Sequence, residues 1–330
     1  MNFVKEFQSR IKKAKNVVIS THLFPDADGI GAQIALCLAL NQIGVKTICV
    51  NEEPLLDRYR YLDLTGSVLG LNEYLKSSYA KTPIDLFIIV DTNALPRIGN
   101  RMHEIVKKAK DFLFIDHHPC PPEVKAIHCI DTNMSATGEL VGTLIDGIGV
   151  KFTPQMALAL YTAIIIDTSS FRYPTVTGNT HRLVGKLMDT GIKPPTAYNQ
   201  IYGSKNISRT QLLGHVLATA QTNEREDIAW LTLTENLLKK FDVDPEDTHA
   251  FINHLLILDT IKVACMFREQ GSNIKISLRS SGDIDVGILA QGLGGGGHNH
   301  SAATMVEGKL NQVVKQTVMK LELMLGQKKS

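Results

Sequence analysis

No stretch of about 18 uncharged apolar residues occurs in the chain, which argues against a membrane-spanning helix. The first 15 residues are charged and amphipathic, without the apolar centre and small-residue cleavage pattern of a secretory leader. Cysteine is sparse: Cys37, Cys49, Cys120, Cys129 and Cys265 are odd in number and form no CxxC pair, which speaks against a disulfide framework and a zinc ribbon. Cys37 and Cys49 sit in apolar surroundings, where a reduced thiol behaves as a small hydrophobe. A soluble, cytoplasmic protein with no membrane partner is expected. An excess of one charge is missing too, since 35 basic residues face 33 acidic ones for a net charge of +2. A protein that tracks long nucleic acid needs a broad basic surface, so any phosphate-bearing substrate is expected to be short, with metal ions neutralising much of its charge. There is no internal repeat, and the one low-complexity tract is the four glycines at 294–297.

What is present suits two domains: 330 residues with 44% hydrophobic content exceed one comfortable core. In the first half, short apolar runs alternate with helical patterns. Strands are expected at 17–21, 46–50, 85–90 and 112–115, with a further one over 124–130, and helices near 29–43 and 98–109. This is an α/β arrangement with a mostly parallel sheet flanked by helices. Helices are expected again over 135–146 and 155–166, the second opened by Pro154 as a first-turn residue. The run Ala163-Ile164-Ile165-Ile166 also suits a strand, but the segment's length favours a helix. Residues 1–189 are assigned to the first domain, 190–214 to a Gly-, Pro- and Asn-rich connection with a short helix, and 215–330 to a smaller α+β domain. In the last, strands are expected at 228–234, 261–268, 273–279 and 304–307, and helices at 245–258, 286–293 and from 309 onward.

The chemistry gathers where apolar runs end. Val17-Val18-Ile19-Ser20-Thr21 leads into His22-Leu23-Phe24-Pro25-Asp26-Ala27-Asp28, Leu86-Phe87-Ile88-Ile89-Val90 into Asp91, and Phe112-Leu113-Phe114-Ile115 into Asp116-His117-His118. In an open α/β sheet, ligands collect outside the carboxyl ends of the strands, so these groups face one crevice. Asp26 and Asp28 on a loop can splay toward two ions, Asp91 can bridge them, and His117 with Asp167 can complete the second shell. Such mixed carboxylate and imidazole donors suit Mn²⁺, with Mg²⁺, Fe²⁺, Co²⁺ and Zn²⁺ also compatible. Singly, Asp26, Asp91 and Asp167 are explained as helix caps and His22 as a core histidine. Together they are not, because six or seven carboxylates and imidazoles without a metal are costly to bury.

These motifs, with Ile166-Asp167-Thr168-Ser169-Ser170-Phe171-Arg172, resemble the successive motifs of the DHH phosphoesterases. Ser277-Leu278-Arg279-Ser280 and Gly294-Gly295-Gly296-Gly297-His298 resemble the DHH-associated substrate-binding domain. Length and domain content are most similar to the NrnA-type oligoribonuclease and pAp phosphatase branch. The resemblance implies a two-metal enzyme that hydrolyses very short RNA, about two to five nucleotides, to nucleoside monophosphates and dephosphorylates pAp to AMP. His22, Asp26 and Asp91 would hold one ion, and Asp28, Asp91, His117 and Asp167 the other. His118 would face the scissile phosphate and Asp116 would orient the imidazoles. Arg172, Arg279, Ser280, Gly295, Gly296, Gly297 and His298 would contact substrate in a cleft between the domains, the glycines by letting backbone N–H groups approach anionic oxygens. A homodimer is left open. Ala27, Ala32 and Ser301-Ala302-Ala303 depart from the pattern without removing a ligand.

Other readings stay in view. A RecJ-like single-strand exonuclease and a phosphodiesterase for cyclic or linear dinucleotides share the motifs. A family II inorganic pyrophosphatase shares the first half only. From another class, a nucleotide-binding sensor without catalysis would keep the pocket and lose the turnover.

Overall fold

A computed structural model of the chain describes residues 3–203 and 206–327, without the side chains of His298 and Gln327. It contains two compact units, Met1–Gly203 and Ser204–Ser330. The segment read as a connection contains a helix at Pro194–Tyr202 and the start of another at Ile207–Ala218. Among the described residues no helix is long and apolar enough to cross a membrane.

The first unit runs α1 (Phe3–Ile11), β1 (Asn16–Ser20), α2 (Ala27–Gln42), β2 (Lys46–Asn51), β3 (Val68–Gly70), α3 (Leu71–Lys76), β4 (Leu86–Val90), α4 (Asn100–Val106), β5 (Asp111–Asp116), α5 (Pro122–Ile127), β6 (Cys129–Ile130), α6 (Thr137–Gly147), α7 (Pro154–Asp167), α8 (Gly178–Met188) and α9 (Pro194–Tyr202). The six strands form one parallel sheet in the order β3-β2-β1-β4-β5-β6. Because successive strand residues face opposite sides, Val17, Ile19, Ile88 and Leu113 build one core with α2, α6 and α7, whereas Val18, Phe87, Ile89 and Phe114 build a second with α3 and α4. The α/β reading of this half therefore holds. Strand formation over 124–130 does not: Pro121-Pro122 starts a helix, for which proline is preset at the first positions, and pairing is confined to Cys129–Ile130.

Three helices carry the site, and small residues decide how close they come. A Cβ on Gly31 of α2 would run into the Ala159 carbonyl of α7 and lie 3.0 Å from the Ala163 Cβ. One on Gly138 of α6 would lie 2.5 Å from the same Ala163 atom. Larger side chains at these places force backbone shifts, typically costing 1–3 kcal/mol. The C-terminus of α7 is thereby brought beside the N-termini of α2 and α6.

The second unit runs α10 (Ile207–Ala218), β7 (Gln221–Thr222), β8 (Ile228–Leu233), α11 (Glu235–Phe241), β9 (Val263–Gln270), β10 (Asn273–Ser280), α12 (Val286–Gly292), β11 (Gly296–His298), β12 (Ser301–Glu307) and α13 (Leu310–Gln327). Its sheet has the order β11-β12-β10-β9-β8-β7, antiparallel except for the parallel pair β8/β9. One expectation is corrected. Residues 245–258 form two short 3₁₀ segments, Pro245–Thr248 and Phe251–Ile257, where the Arg268 guanidinium bonds the Pro245 carbonyl and the Glu246 carboxylate. The glycine run is no loose loop, because it leads into edge strand β11 paired with β12.

Candidate metal centre

The sheet order reverses between β1 and β4, and the crevice at such a switch point is where α/β sheets place ligands. His22, Asp26 and Asp28 follow β1, and Asp91 follows β4, so they flank that point. Asp28 lies within the first turn of α2, not on a free loop. Asp26 is the N-cap of α2, accepting from the Asp28 and Gly29 N–H groups at 2.9 and 3.3 Å. The capping role does not exclude the other one, since its carboxylate also stands with His22 and Asp91 in a group whose ligand atoms lie within 4.8 Å of one another. Asp28 is 1% exposed and accepts from the N–H groups of Thr137 (2.7 Å) and Gly138 (2.8 Å) at the start of α6, where the helix dipole favours an anion.

Asp91 takes a left-handed backbone, φ +62°, immediately after β4, an unusual conformation for a residue with a Cβ and one that clusters at functional sites. Its two oxygens serve different sides. Oδ2 lies 3.4 Å from His22 Nε2, and Oδ1 accepts from Thr137 Oγ1 at 3.0 Å and lies 3.8 Å from His118 Nδ1. A side chain at position 29 would put its Cβ 3.1 Å from Asp91 Oδ2, so glycine there keeps room for the carboxylate.

All three imidazoles are tied through Nδ1. His22 Nδ1 donates to the Leu23 carbonyl (2.7 Å), His117 Nδ1 to the Met134 carbonyl (3.1 Å) and His118 Nδ1 to Asp116 Oδ1 (2.7 Å). A carbonyl or carboxylate oxygen can only accept, so each bond puts a proton on Nδ1 and turns Nε2 toward the site, free to ligate in His22 and His117. His117 Nε2 lies 3.2 Å from Asp167 Oδ2 and 3.9 Å from Asp28 Oδ2. Asp116 is fully buried. Its Oδ1 also accepts from the His117 N–H (2.9 Å) and its Oδ2 from Asn93 Nδ2 (2.7 Å). Three groups of ligating atoms result: His22, Asp26 and Asp91; Asp28, His117 and Asp167; and Asp91, His117 and His118. The last adds His118 to the side chains near enough to hold an ion, a position the sequence reading did not give it.

Electrostatics describe the same crowding. Burial, then the charges of Asp91, Asp167 and Asp26, pushes Asp28 well above the usual carboxylate range. Burial, with Asp91 next, also raises Asp26. Asp167 is raised to about 6 by burial first, against the pull of His117. Burial would raise Asp91 too, but the bond from His22 and the charges of the three histidines outweigh it and hold this carboxyl down. For His118 burial lowers and the Asp116 hydrogen bond raises; the carboxylates prevail and hold it at about 9. Four crowded carboxylates, Asp28 and Asp91 among them buried, cannot all ionise comfortably without added positive charge, and the oxygen and nitrogen donors here match a divalent transition ion.

A pH dependence follows. A carboxyl raised in the fold stabilises the protein below its unfolded value, and that contribution is lost as pH climbs through the folded one, so the metal-free protein should lose the Asp167 contribution up to about pH 6. Below that pH the proton competes with an ion. Mn²⁺ affinity, titrated by calorimetry at pH 5, 6 and 7, is expected to fall about tenfold per unit below 6 through this group alone. Asp167→Asn should flatten that slope; an unchanged slope would remove Asp167 from the ion's shell.

Several of the remaining expected contacts are engaged in bonds within their own unit. Arg172 follows three successive left-handed residues, Ser169, Ser170 and Phe171, and its guanidinium bonds the Ser169 carbonyl (2.9 Å) and hydroxyl (2.7 Å). In the second unit, Arg279 is half-buried on β10, with Nη1 donating to the Leu278 carbonyl at 2.9 Å. Ser280 is turned inward at 3% exposure, its hydroxyl bonded to the Ile284 carbonyl at 2.6 Å and beside His300 Nδ1 at 3.1 Å. Gly295 and Gly297 are required by the hairpin: a Cβ would strike the carbonyls of Ala303 and Ser301 respectively, and Gly297 has φ +142°. Gly296 faces open space. The side chain of His298 lies outside the described residues. Sequence reasoning missed Gly29, Asn93, Thr137 and Gly138. A Thr-Gly pair opening a helix was visible, but nothing local says that its N–H groups meet Asp28, 109 and 110 residues away.

Two family models match this architecture, the DHH family N-terminal domain over residues 16–164 and the DHHA1 domain over 228–321. The chain contains a DHH N-terminal domain followed by a DHHA1 domain. Over 294 residues it is 27% identical to the bifunctional oligoribonuclease and PAP phosphatase NrnA of Thermus thermophilus, covering 88% of this chain and 84% of that one. An exopolyphosphatase-related protein from Bacteroides fragilis is similar in structure, with a TM-score of 0.88, 27% identity and coverage of 98% and 97%. A structure of exonuclease RecJ bound to manganese shares the fold at a TM-score of 0.51, with 14% identity and 96% and 93% coverage.

Proposed function

We propose that this protein is a two-metal phosphoesterase that hydrolyses very short RNA to nucleoside monophosphates and dephosphorylates pAp to AMP. The observation that carries the reading is Asp91: one carboxylate in two groups of ligating atoms, its oxygens turned toward His22 on one side and His118 on the other. His22, Asp26 and Asp91 would hold one ion, and Asp91, Asp28, His117 and Asp167 the second, with Mn²⁺ the ion that suits the donors best. Bound divalent ions would acidify water and neutralise phosphoryl oxygens.

The chain's own residues do the positioning. Asp116, buried and bonded to both Asn93 and His118, holds the His118 ring so that Nε2–H can donate to a phosphoryl oxygen as negative charge develops there. The Thr137 hydroxyl and the start of α6 keep Asp91 and Asp28 from turning away. In the second unit, Arg279 is proposed to grip a phosphate and Gly296 to offer its backbone. The 27% identity to a relative named for both oligoribonuclease and PAP phosphatase activity supports the substrate class.

A turnover panel tests it. With Mn²⁺, pAp and dinucleotides should be cleaved at least tenfold faster than a long single strand or a cyclic dinucleotide. Preference for the long strand would turn the assignment to a RecJ-like exonuclease. Binding without turnover on the whole panel would leave a sensor.

A further inference from the structure

We propose that Phe24 is a stacking platform for a nucleobase of the substrate, a deepening that rests on the nucleotide phosphoesterase reading above. Phe24 has the highest exposure among the large hydrophobic side chains of the described residues, 86%, yet it stands in the segment between His22 and Asp26. It belongs to neither core and is in contact with no other aromatic ring among the described residues. Its backbone is left-handed, φ +52°, a conformation that costs a bulky residue and for which glycine or asparagine is the ordinary choice.

The position is nevertheless defined. Leu23 on one side donates its N–H to the Arg97 carbonyl at 2.7 Å and accepts from the His22 ring. Asp26 on the other side is fastened as the cap of α2. A ring between two anchored residues is displayed, not left loose. Nothing in the fold uses this aromatic group, whereas the group of His22, Asp26 and Asp91 begins two residues away on either side, about 7 Å of extended chain at most.

A base is the occupant that this chemistry fits. A phosphate held at the acidic centre carries its nucleoside within reach, and phenylalanine offers a π-face but no hydrogen-bonding group. Stacking of this kind accepts every base, as a degrader of mixed short RNA requires. Being solvent-exposed, the ring can be removed without opening a cavity.

The test compares wild type, Phe24→Ala and Phe24→Trp on pAp and on its analogue lacking the base, ribose 3',5'-bisphosphate, with Mn²⁺. Phe24→Ala should raise KM for pAp about tenfold with kcat little changed, 1.4 kcal/mol being a factor of ten. Phe24→Trp should restore it, and the abasic substrate should show no difference between variants. An unchanged KM for pAp in Phe24→Ala, or an equal loss on the abasic compound, overturns the platform. A second readout separates it from the activity assignment: 2-aminopurine riboside monophosphate should be quenched on binding to wild type and not to Phe24→Ala. If wild type hydrolyses neither compound but the quench and its loss are seen, the phosphoesterase reading fails and the platform stands. If no quench is seen with wild type, the platform fails.

Discussion

Asp91→Asn is expected to reduce metal-dependent hydrolysis by about 10³-fold or more while the fold persists. Each tenfold loss of rate is 1.36 kcal/mol of barrier, and a bridging ligand positions both ions, whose charge stabilisation is worth several kcal/mol. The amide keeps the shape of the side chain but loses the charge that helps raise His22 and His118, and one of its two ends can no longer accept. Turnover of pAp, Mn²⁺ stoichiometry by calorimetry and a circular dichroism melt check the three parts of the claim. Near-normal turnover with two bound ions would remove Asp91 from the bridging position.

Asp116→Asn is the second large effect. Asp116 contacts no proposed ion, yet its Oδ1 accepts both the His118 ring and the His117 backbone N–H. Removing such an outer partner typically costs 10–100-fold in activity or metal affinity. The mechanism behind the loss is readable. In the metal-free protein, His118 titrates near 9 because the carboxylates outweigh burial, so its charged form stabilises the fold below the ordinary histidine value and this contribution disappears as pH rises through 9. In the variant the titration, followed by the ring nitrogens in NMR, should move down toward neutrality, and the stability difference from wild type should vanish above pH 9. A His118 titration unmoved in Asp116→Asn would sink the orienting role, whatever the rate.

Much of this was legible in the sequence because parallel sheets write themselves locally. A strand buried on both faces is a short apolar run, and the residue that ends it is the one that reaches the carboxyl edge. Val17 to Thr21, Leu86 to Val90 and Phe112 to Ile115 each announce both a strand and a functional terminus. Asp26 illustrates where local reasoning divides: the helix cap and the candidate ligand are one carboxylate, one oxygen accepting from the α2 backbone while the group stands against His22 and Asp91. Choosing between the readings was unnecessary. The short strand β3 and helices α3 and α8 escaped because their patterns are too brief or too polar to stand out. The glycine run carried no local sign of its strand, since residues without side chains suit a loop and an edge strand equally until β12 is seen beside it.

From its order of residues alone, this protein declares strand-end acids and histidines, a small net charge and the DHH motif set, all of which depend on neighbours a few positions apart. Tertiary structure alone decided that Asp28 is gripped by the first turn of α6 and that Asp91 faces His22 and His118 with different oxygens. Those arrangements depend on contacts between segments tens to more than a hundred residues apart, made possible by Gly29, Gly31 and Gly138, where the absence of a Cβ sets the approach of helix to carboxylate and helix to helix.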